Sequence, residues 1–218
     1  MTTVAGRVSL DRHWTYALWL ALFTIFYNLL EGMIAVYFGA SDETLTLFGF
    51  GLDSFIEMMS GIGILAMVLR IRRNPGTPRS QFERSALRVT GTSFYLLALG
   101  LGLTAVYNVV YRHQPETALP GLVISVISIG VMGALVWAKR RVGHALRSSP
   151  ILADANCTLV CIYMSLVLLV SSLFYQMTGF GFVDSLGAVG LIYFSLTEGR
   201  EAFERAAGMD DDGDDEGH

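Results

Sequence analysis

Six long apolar blocks constrain what this chain can fold into more than any other feature. They cover about residues 15–38, 45–69, 86–110, 119–137, 151–175 and 182–203. About 20 apolar residues suffice for a helix to cross a bilayer, and a helix satisfies its own backbone hydrogen bonds there. The pattern therefore predicts an all-α membrane protein with six transmembrane helices.

The composition agrees with this prediction, since 53% of the residues are hydrophobic and 16% are charged. A soluble domain carries about 25% charged residues. The first block is too long for the apolar part of a signal peptide and lacks a clear cleavage site. We expect a cytoplasmic segment at 1–14, a six-helix transmembrane domain at 15–207, and an acidic, disordered cytoplasmic tail at 208–218.

The basic residues predict the orientation. Ten of the fifteen Lys and Arg lie in the joints after the second and fourth blocks: Arg70, Arg72, Arg73, Arg79, Arg84, Arg88, Lys139, Arg140, Arg141 and Arg147. The three opposite joints contain only Arg112. By the positive-inside bias, both termini are cytoplasmic. The expected location is the inner (plasma) membrane of a prokaryote.

The second block contains two acids, Asp53 and Glu57, which lie one helical turn apart on the same face. A carboxylate at the centre of a transmembrane helix is unfavourable by roughly 2.5–3.5 kcal/mol on insertion scales. A divalent cation, protons, or both would offset this cost.

The fifth block contains a polar stripe formed by Asp154, Cys157, Thr158 and Cys161. At 1.5 Å per residue, Glu57 and the two cysteines reach nearly the same depth, roughly the middle of a 30 Å core. Carboxylates and thiolates together favour tetrahedral Zn²⁺ or a similar ion over Mg²⁺ or Ca²⁺. We therefore take these residues, with Asp53, as candidate metal ligands.

Plainer interpretations exist for several of these residues. Asp154 could cap its helix or pair with Arg147, and a cysteine is an ordinary small apolar residue in a buried helix. The two cysteines are predicted to be thiols, because residues four apart on one helix do not favour a disulfide. Glu31 is a candidate for a proton or ion path, or for a local pair. Asn28 is a second path candidate, although such residues more often bond a neighbouring helix.

These residues resemble the cation diffusion facilitator (cation efflux) family. That family has six transmembrane helices with both termini inside and an Asp-x-x-x-Asp motif on the second, which Asp53-Ser-Phe-Ile-Glu57 matches with Glu as its second acid. The family's partner motif, His-x-x-x-Asp on the fifth helix, is altered here. One register places Asp154 and Thr158 in its positions, and another uses Cys157 and Cys161. Family members often continue into a cytoplasmic metal-binding domain, whereas we expect only the acidic tail after Gly208.

The resemblance implies export of a divalent metal, usually Zn²⁺, in exchange for protons, by a homodimer. The metal is then a substrate, and no prosthetic group and no nucleic-acid partner are expected. The alternative is a non-transporting membrane subunit or regulator that binds metal. An enzyme is not expected, because the sequence shows no His cluster, Ser–Lys dyad or nucleotide-binding loop.

Overall fold

A computed structural model describes residues 4–41, 45–74, 78–111, 119–178 and 182–214, with side chains over most of these ranges. The chain forms six α-helices: α1 (Val4–Ser41), α2 (Leu45–Arg73), α3 (Arg79–Tyr111), α4 (Leu119–Leu146), α5 (Ser149–Thr178) and α6 (Phe182–Asp214). No strand occurs within the described ranges, so the all-α prediction is confirmed there. The joint at 112–118, with Arg112, lies outside them.

The helices extend well beyond the apolar blocks. α4 continues to Leu146 instead of ending near residue 137, and α6 continues to Asp214, through residues 208–214 of the acidic run. An apolar block marks the segment that lipid can surround, whereas charged residues can continue a helix into water. Residues 215–218 of the predicted tail lie outside the described ranges.

Five helices contain a described segment long and apolar enough to cross a membrane. These segments are Arg12–Phe38, Phe50–Arg73, Arg79–Tyr107, Val123–Leu146 and Ser149–Leu166. The side chains of residues 182–188, in the first turns of α6, are outside the described set. A helical integral membrane protein is therefore supported, and the sixth crossing stays a prediction.

The described side chains are arranged with apolar residues outside and polar residues inside. Large apolar side chains are exposed on all six helices, with Trp19 at 64% and Tyr193 at 74%. Ser, Thr and ionisable side chains are buried between the helices. A water-soluble protein of this size would not expose so much apolar surface. Lipid is the solvent that fits this surface.

Helices α2 and α5 occupy the centre of the bundle. α2 packs against α1, α3 and α5, while α5 packs against α4, α6, α2 and α3. A tight reversal joins α4 to α5: Arg147 has a φ of 48°, and the Ser148 amide donates to the Gly143 carbonyl at 2.9 Å. This is the Schellman type of helix end. It sets the last turns of α4 directly beside the first turns of α5.

Candidate cation site between the second, fourth and fifth helices

The two acids of α2 point into the bundle. Asp53 is 3% exposed and Glu57 is fully buried. Glu57 Oε1 accepts a hydrogen bond of 2.5 Å from the Thr158 hydroxyl on α5. The other carboxylate oxygen of Glu57 and both oxygens of Asp53 have no hydrogen-bond partner among the described residues. Three buried carboxylate oxygens thus remain available to a cation or a proton.

Asp154 on α5 is, by contrast, fully engaged. Its Oδ1 accepts from the Ser60 hydroxyl of α2 at 2.7 Å. Ser60 in turn lies 3.0 Å from the Thr90 hydroxyl of α3. The partner of Oδ2 is an ammonium group, not the guanidinium of Arg147 that the sequence suggested. Asp154 therefore links α2, α3 and α5 to a fourth helix.

That ammonium belongs to Lys139 of α4, a residue that the apolar pattern of the sequence predicted to lie in a cytoplasmic joint. Its Nζ lies 2.9 Å from Asp154 Oδ2, 2.7 Å from Thr158 Oγ1 and 3.7 Å from Glu57 Oε1. The residue is only 1% exposed. The placement in a joint was wrong because α4 continues past the apolar block.

One signal in the sequence could have identified Lys139. Side chains on a helix lean toward its N-terminus, which for α4 is the direction of the membrane interior. Lys139 is the first basic residue after the apolar block, so its long stem can carry the charge back into that block. The next two residues, Arg140 and Arg141, are exposed.

The two cysteines of α5 occupy different surroundings. Both are free thiols, as predicted, and both are buried. Cys161 lies beside the Asp53 carboxyl group. Cys157 belongs to an apolar cluster that includes Phe94 and Val160. Of the two, Cys161 is the better placed to share a cation with the unpartnered acid of α2.

The candidate ligands lie in one region but do not form a complete metal coordination site. Among the described residues, no three His, Cys, Asp or Glu side chains converge closely enough to hold a metal ion. The structure joins Glu57, Asp154 and Thr158 through the ammonium of Lys139, with Asp53 and Cys161 about one helical turn away along α2 and α5. Binding a metal here requires side-chain rearrangement.

The two path candidates lie on α1. Glu31 is 5% exposed and accepts hydrogen bonds from Tyr27 at 3.0 Å and from Ser54 of α2 at 3.1 Å. The Asn28 amide donates to the Thr24 carbonyl of its own helix at 3.0 Å. The sequence predicts a bond from this amide to a neighbouring helix instead. Glu31 extends the line of buried acids beyond Asp53.

The buried charges of this region do not balance. The described interior contains four carboxyl groups here, from Glu31, Asp53, Glu57 and Asp154, and one ammonium, from Lys139. Buried charges are tolerated when they are paired or neutralised. The region therefore favours additional cations, whether metal ions or protons.

Comparison with known proteins identifies the family of the chain. Residues 17–207 match the family described as the cation efflux transmembrane domain. The chain is also 22% identical, over 153 residues, to a protein of Synechocystis sp. described as an uncharacterized transporter. The match covers 68% of this chain and 49% of that protein, so the chain spans about half the length of this relative. Proteins of this family are transporters of metal cations, and since the family match covers most of the sequence, the chain belongs to the cation efflux family.

Proposed function

We propose that this protein exports a divalent metal cation resembling Zn²⁺ from the cytoplasm in exchange for protons. The observation that carries the proposal is the buried pair Asp53 and Glu57, with three carboxylate oxygens unpartnered among the described residues. Buried acids without partners are costly in a membrane unless an ion or a proton accompanies them. Family membership supplies the coarse class, metal cation transport.

The ligand set follows from the surroundings of each group. Asp53 and Glu57 supply oxygen ligands, and Cys161 supplies a thiolate beside Asp53. Asp154, Cys157 and Thr158 remain candidates for the metal after rearrangement. A mixed oxygen and sulfur set favours Zn²⁺ or Cd²⁺ over Mg²⁺.

Exchange with protons follows from the chemistry of these ligands. Carboxylates and thiols bind metal in their deprotonated forms, so metal and protons compete for the same atoms. If rocking of helices opens the site alternately to each side, protons entering from outside displace the metal. Both termini would be cytoplasmic, in a prokaryotic inner membrane, and the working unit would be a homodimer.

The test is flux in liposomes that contain the purified full-length chain. With the liposome interior acidic, we expect external Zn²⁺ to enter and the internal pH to rise. Asp53→Asn should abolish both signals, because it removes a carboxylate without changing the size of the side chain. Glu201→Gln on α6, whose half-exposed side chain pairs with Arg205 away from the candidate site, is the matched control and should retain flux. Full flux in Asp53→Asn would remove α2 from the mechanism.

The same assay distinguishes a transporter from a non-transporting subunit or regulator. The second candidate is retained because no three candidate ligands converge among the described residues. A subunit or regulator would bind Zn²⁺ in an Asp53-dependent way and move none across the liposome membrane.

A further inference from the structure

One positive charge lies inside the candidate site. Lys139 is the only buried Lys or Arg among the described side chains. It reaches the site from α4, a helix that supplies none of the predicted ligands. Its ammonium contacts Asp154 and Thr158 of α5 and lies 3.7 Å from Glu57 of α2. A side-chain cation therefore already occupies space between the two ligand-bearing helices.

The contacts of this ammonium are unequal. It is hydrogen-bonded to Asp154 at 2.9 Å, whereas Glu57 is 3.7 Å away, beyond hydrogen-bond distance. A lysine has a flexible four-carbon stem, so its charge can shift by an ångström or more at little cost. Lys139 can thus leave Glu57 while Asp154 still holds it.

We propose that Lys139 is a cation, held by Asp154, that competes with the metal ion for Glu57: its charge neutralises Glu57 from 3.7 Å when the site holds no metal, moves away from Glu57 when metal binds, and returns as metal leaves. This inference rests on the proposed function. The lysine stays charged throughout, so the competition depends on movement of the ammonium group and not on loss of its proton. It makes Asp154 the anchor of the lysine.

The electrostatics favour exclusion over joint occupancy. An ammonium and a divalent cation on the same carboxylate repel each other strongly in a poorly solvated interior. Each therefore weakens the hold of the other. A transporter gains from this, because conduction through a site requires binding weak enough for release. Without the lysine, the acids would hold the metal too tightly for rapid turnover.

The test measures Zn²⁺ affinity by calorimetry on the full-length protein in detergent, at one pH. Lys139→Met removes the charge and keeps an unbranched side chain. We expect at least about tenfold tighter Zn²⁺ binding, since a nearby like charge is lost. Arg141→Met, on the exposed surface of α4, removes the same charge outside the site and should leave affinity unchanged. Equal or weaker binding by Lys139→Met would overturn the inference.

A second pair of variants keeps the test valid if Lys139→Met fails to fold with Asp154 left unpaired. Asp154→Asn is compared with the double variant Lys139→Met, Asp154→Asn, which removes both charges together. Both lack the Asp154 carboxylate, so their difference reports the lysine alone. The double variant should bind Zn²⁺ at least about tenfold more tightly. The inference is overturned if the two affinities are equal or the order is reversed.

Flux measurements separate a competing cation from a structural one. Removal of a competitor should lower both KM and kcat for Zn²⁺, because substrate binds more tightly and leaves more slowly. A purely structural loss would lower kcat without lowering KM, and that result would count against the inference. If the wild-type protein neither binds nor moves Zn²⁺, the proposed function itself fails. If it does both and Lys139→Met binds no more tightly, only the inference about the lysine fails.

Discussion

At the residue scale, Asp53 and Asp154 carry the same carboxyl group in opposite surroundings. Both oxygens of Asp154 are engaged, one by Ser60 and one by Lys139. Neither oxygen of Asp53 has a hydrogen-bond partner among the described residues. A buried ion pair that loses one member costs about 3–5 kcal/mol, because the other charge is left uncompensated. In this structure Asp154 thus joins neighbouring helices through Ser60 and Lys139, whereas Asp53 is available to an ion.

The surroundings of the thiols give a prediction at this scale. Cys161→Ser should weaken Cd²⁺ binding by about tenfold or more, because a soft thiolate is replaced by a hydroxyl that this ion binds poorly. Cys157→Ser on the same helix is the comparison and should cost less affinity than Cys161→Ser, since Cys157 packs in the apolar cluster. Calorimetry with Cd²⁺ and Mn²⁺ checks the result, with a smaller loss expected for Mn²⁺. Equal losses of affinity for the two variants would contradict the prediction, because it assigns the sulfur ligand to Cys161.

At the scale of single elements, the position of α2 depends on a close approach to α1. A Cβ atom added at Gly51 would lie 2.8 Å from the backbone nitrogen of Val36 and 3.0 Å from the carbonyl oxygen of Gly32. Small residues at such crossings allow membrane helices to pack backbone against backbone. Asp53, two residues along α2, is held in place by this crossing.

Substitution at this crossing should therefore destabilise the bundle. Gly51→Ala should lower the free energy of unfolding by about 1–3 kcal/mol, because the α1 backbone cannot give way as a flexible side chain could. Gly133→Ala in α4 is the matched control, since no atom lies within 4 Å of its added Cβ. That control should be neutral or stabilising by up to about 1 kcal/mol, as alanine favours helices. Thermal unfolding in detergent checks the difference, which should vanish if the close crossing does not form.

At the scale of the whole molecule, the helix ends with the basic residues are tied together. The Arg79 guanidinium, at the start of α3, donates to the carbonyl of Leu146 at the end of α4 at 2.9 Å. It also lies 4.9 Å from the ring of Trp14 in α1. Ten basic residues were used to predict the orientation, and Lys139 is one of them. Because Lys139 is buried, nine basic residues remain at this end of the bundle. The positive-inside argument therefore keeps its direction.

Reporter fusions check the orientation. Green fluorescent protein, which becomes fluorescent only when it folds in the cytoplasm, should be fluorescent at either end of the full-length chain. Alkaline phosphatase, active only outside the cytoplasm, should be active when fused after residue 118 and inactive after residue 146. The reason is that nine exposed or partly exposed basic side chains resist transfer across the membrane. The opposite pattern would invert the proposed direction of transport.

The sequence by itself determined the class of fold and the helix that carries the unpartnered acids. Apolar length is a local property, so six blocks predict six helices without knowledge of how they pack. The spacing of Asp53 and Glu57 is likewise local, because four residues return a helix to the same face. Their depth follows from the rise per residue, which placed α2 and α5 in register.

Only the tertiary structure decided which buried side chains of α2, α4 and α5 contact one another. Whether Asp154 faces Arg147 or Lys139 depends on where α4 ends and how it reverses into α5, and no local pattern fixes either. The choice between the cysteines depends on the rotation of α5 against α2, which the packing of every neighbouring helix determines. Lys139, which the sequence groups with the surface charges, is the buried counter-ion of Asp154. The physical reason is that charge pairing in a membrane is a property of facing helices and not of any single one.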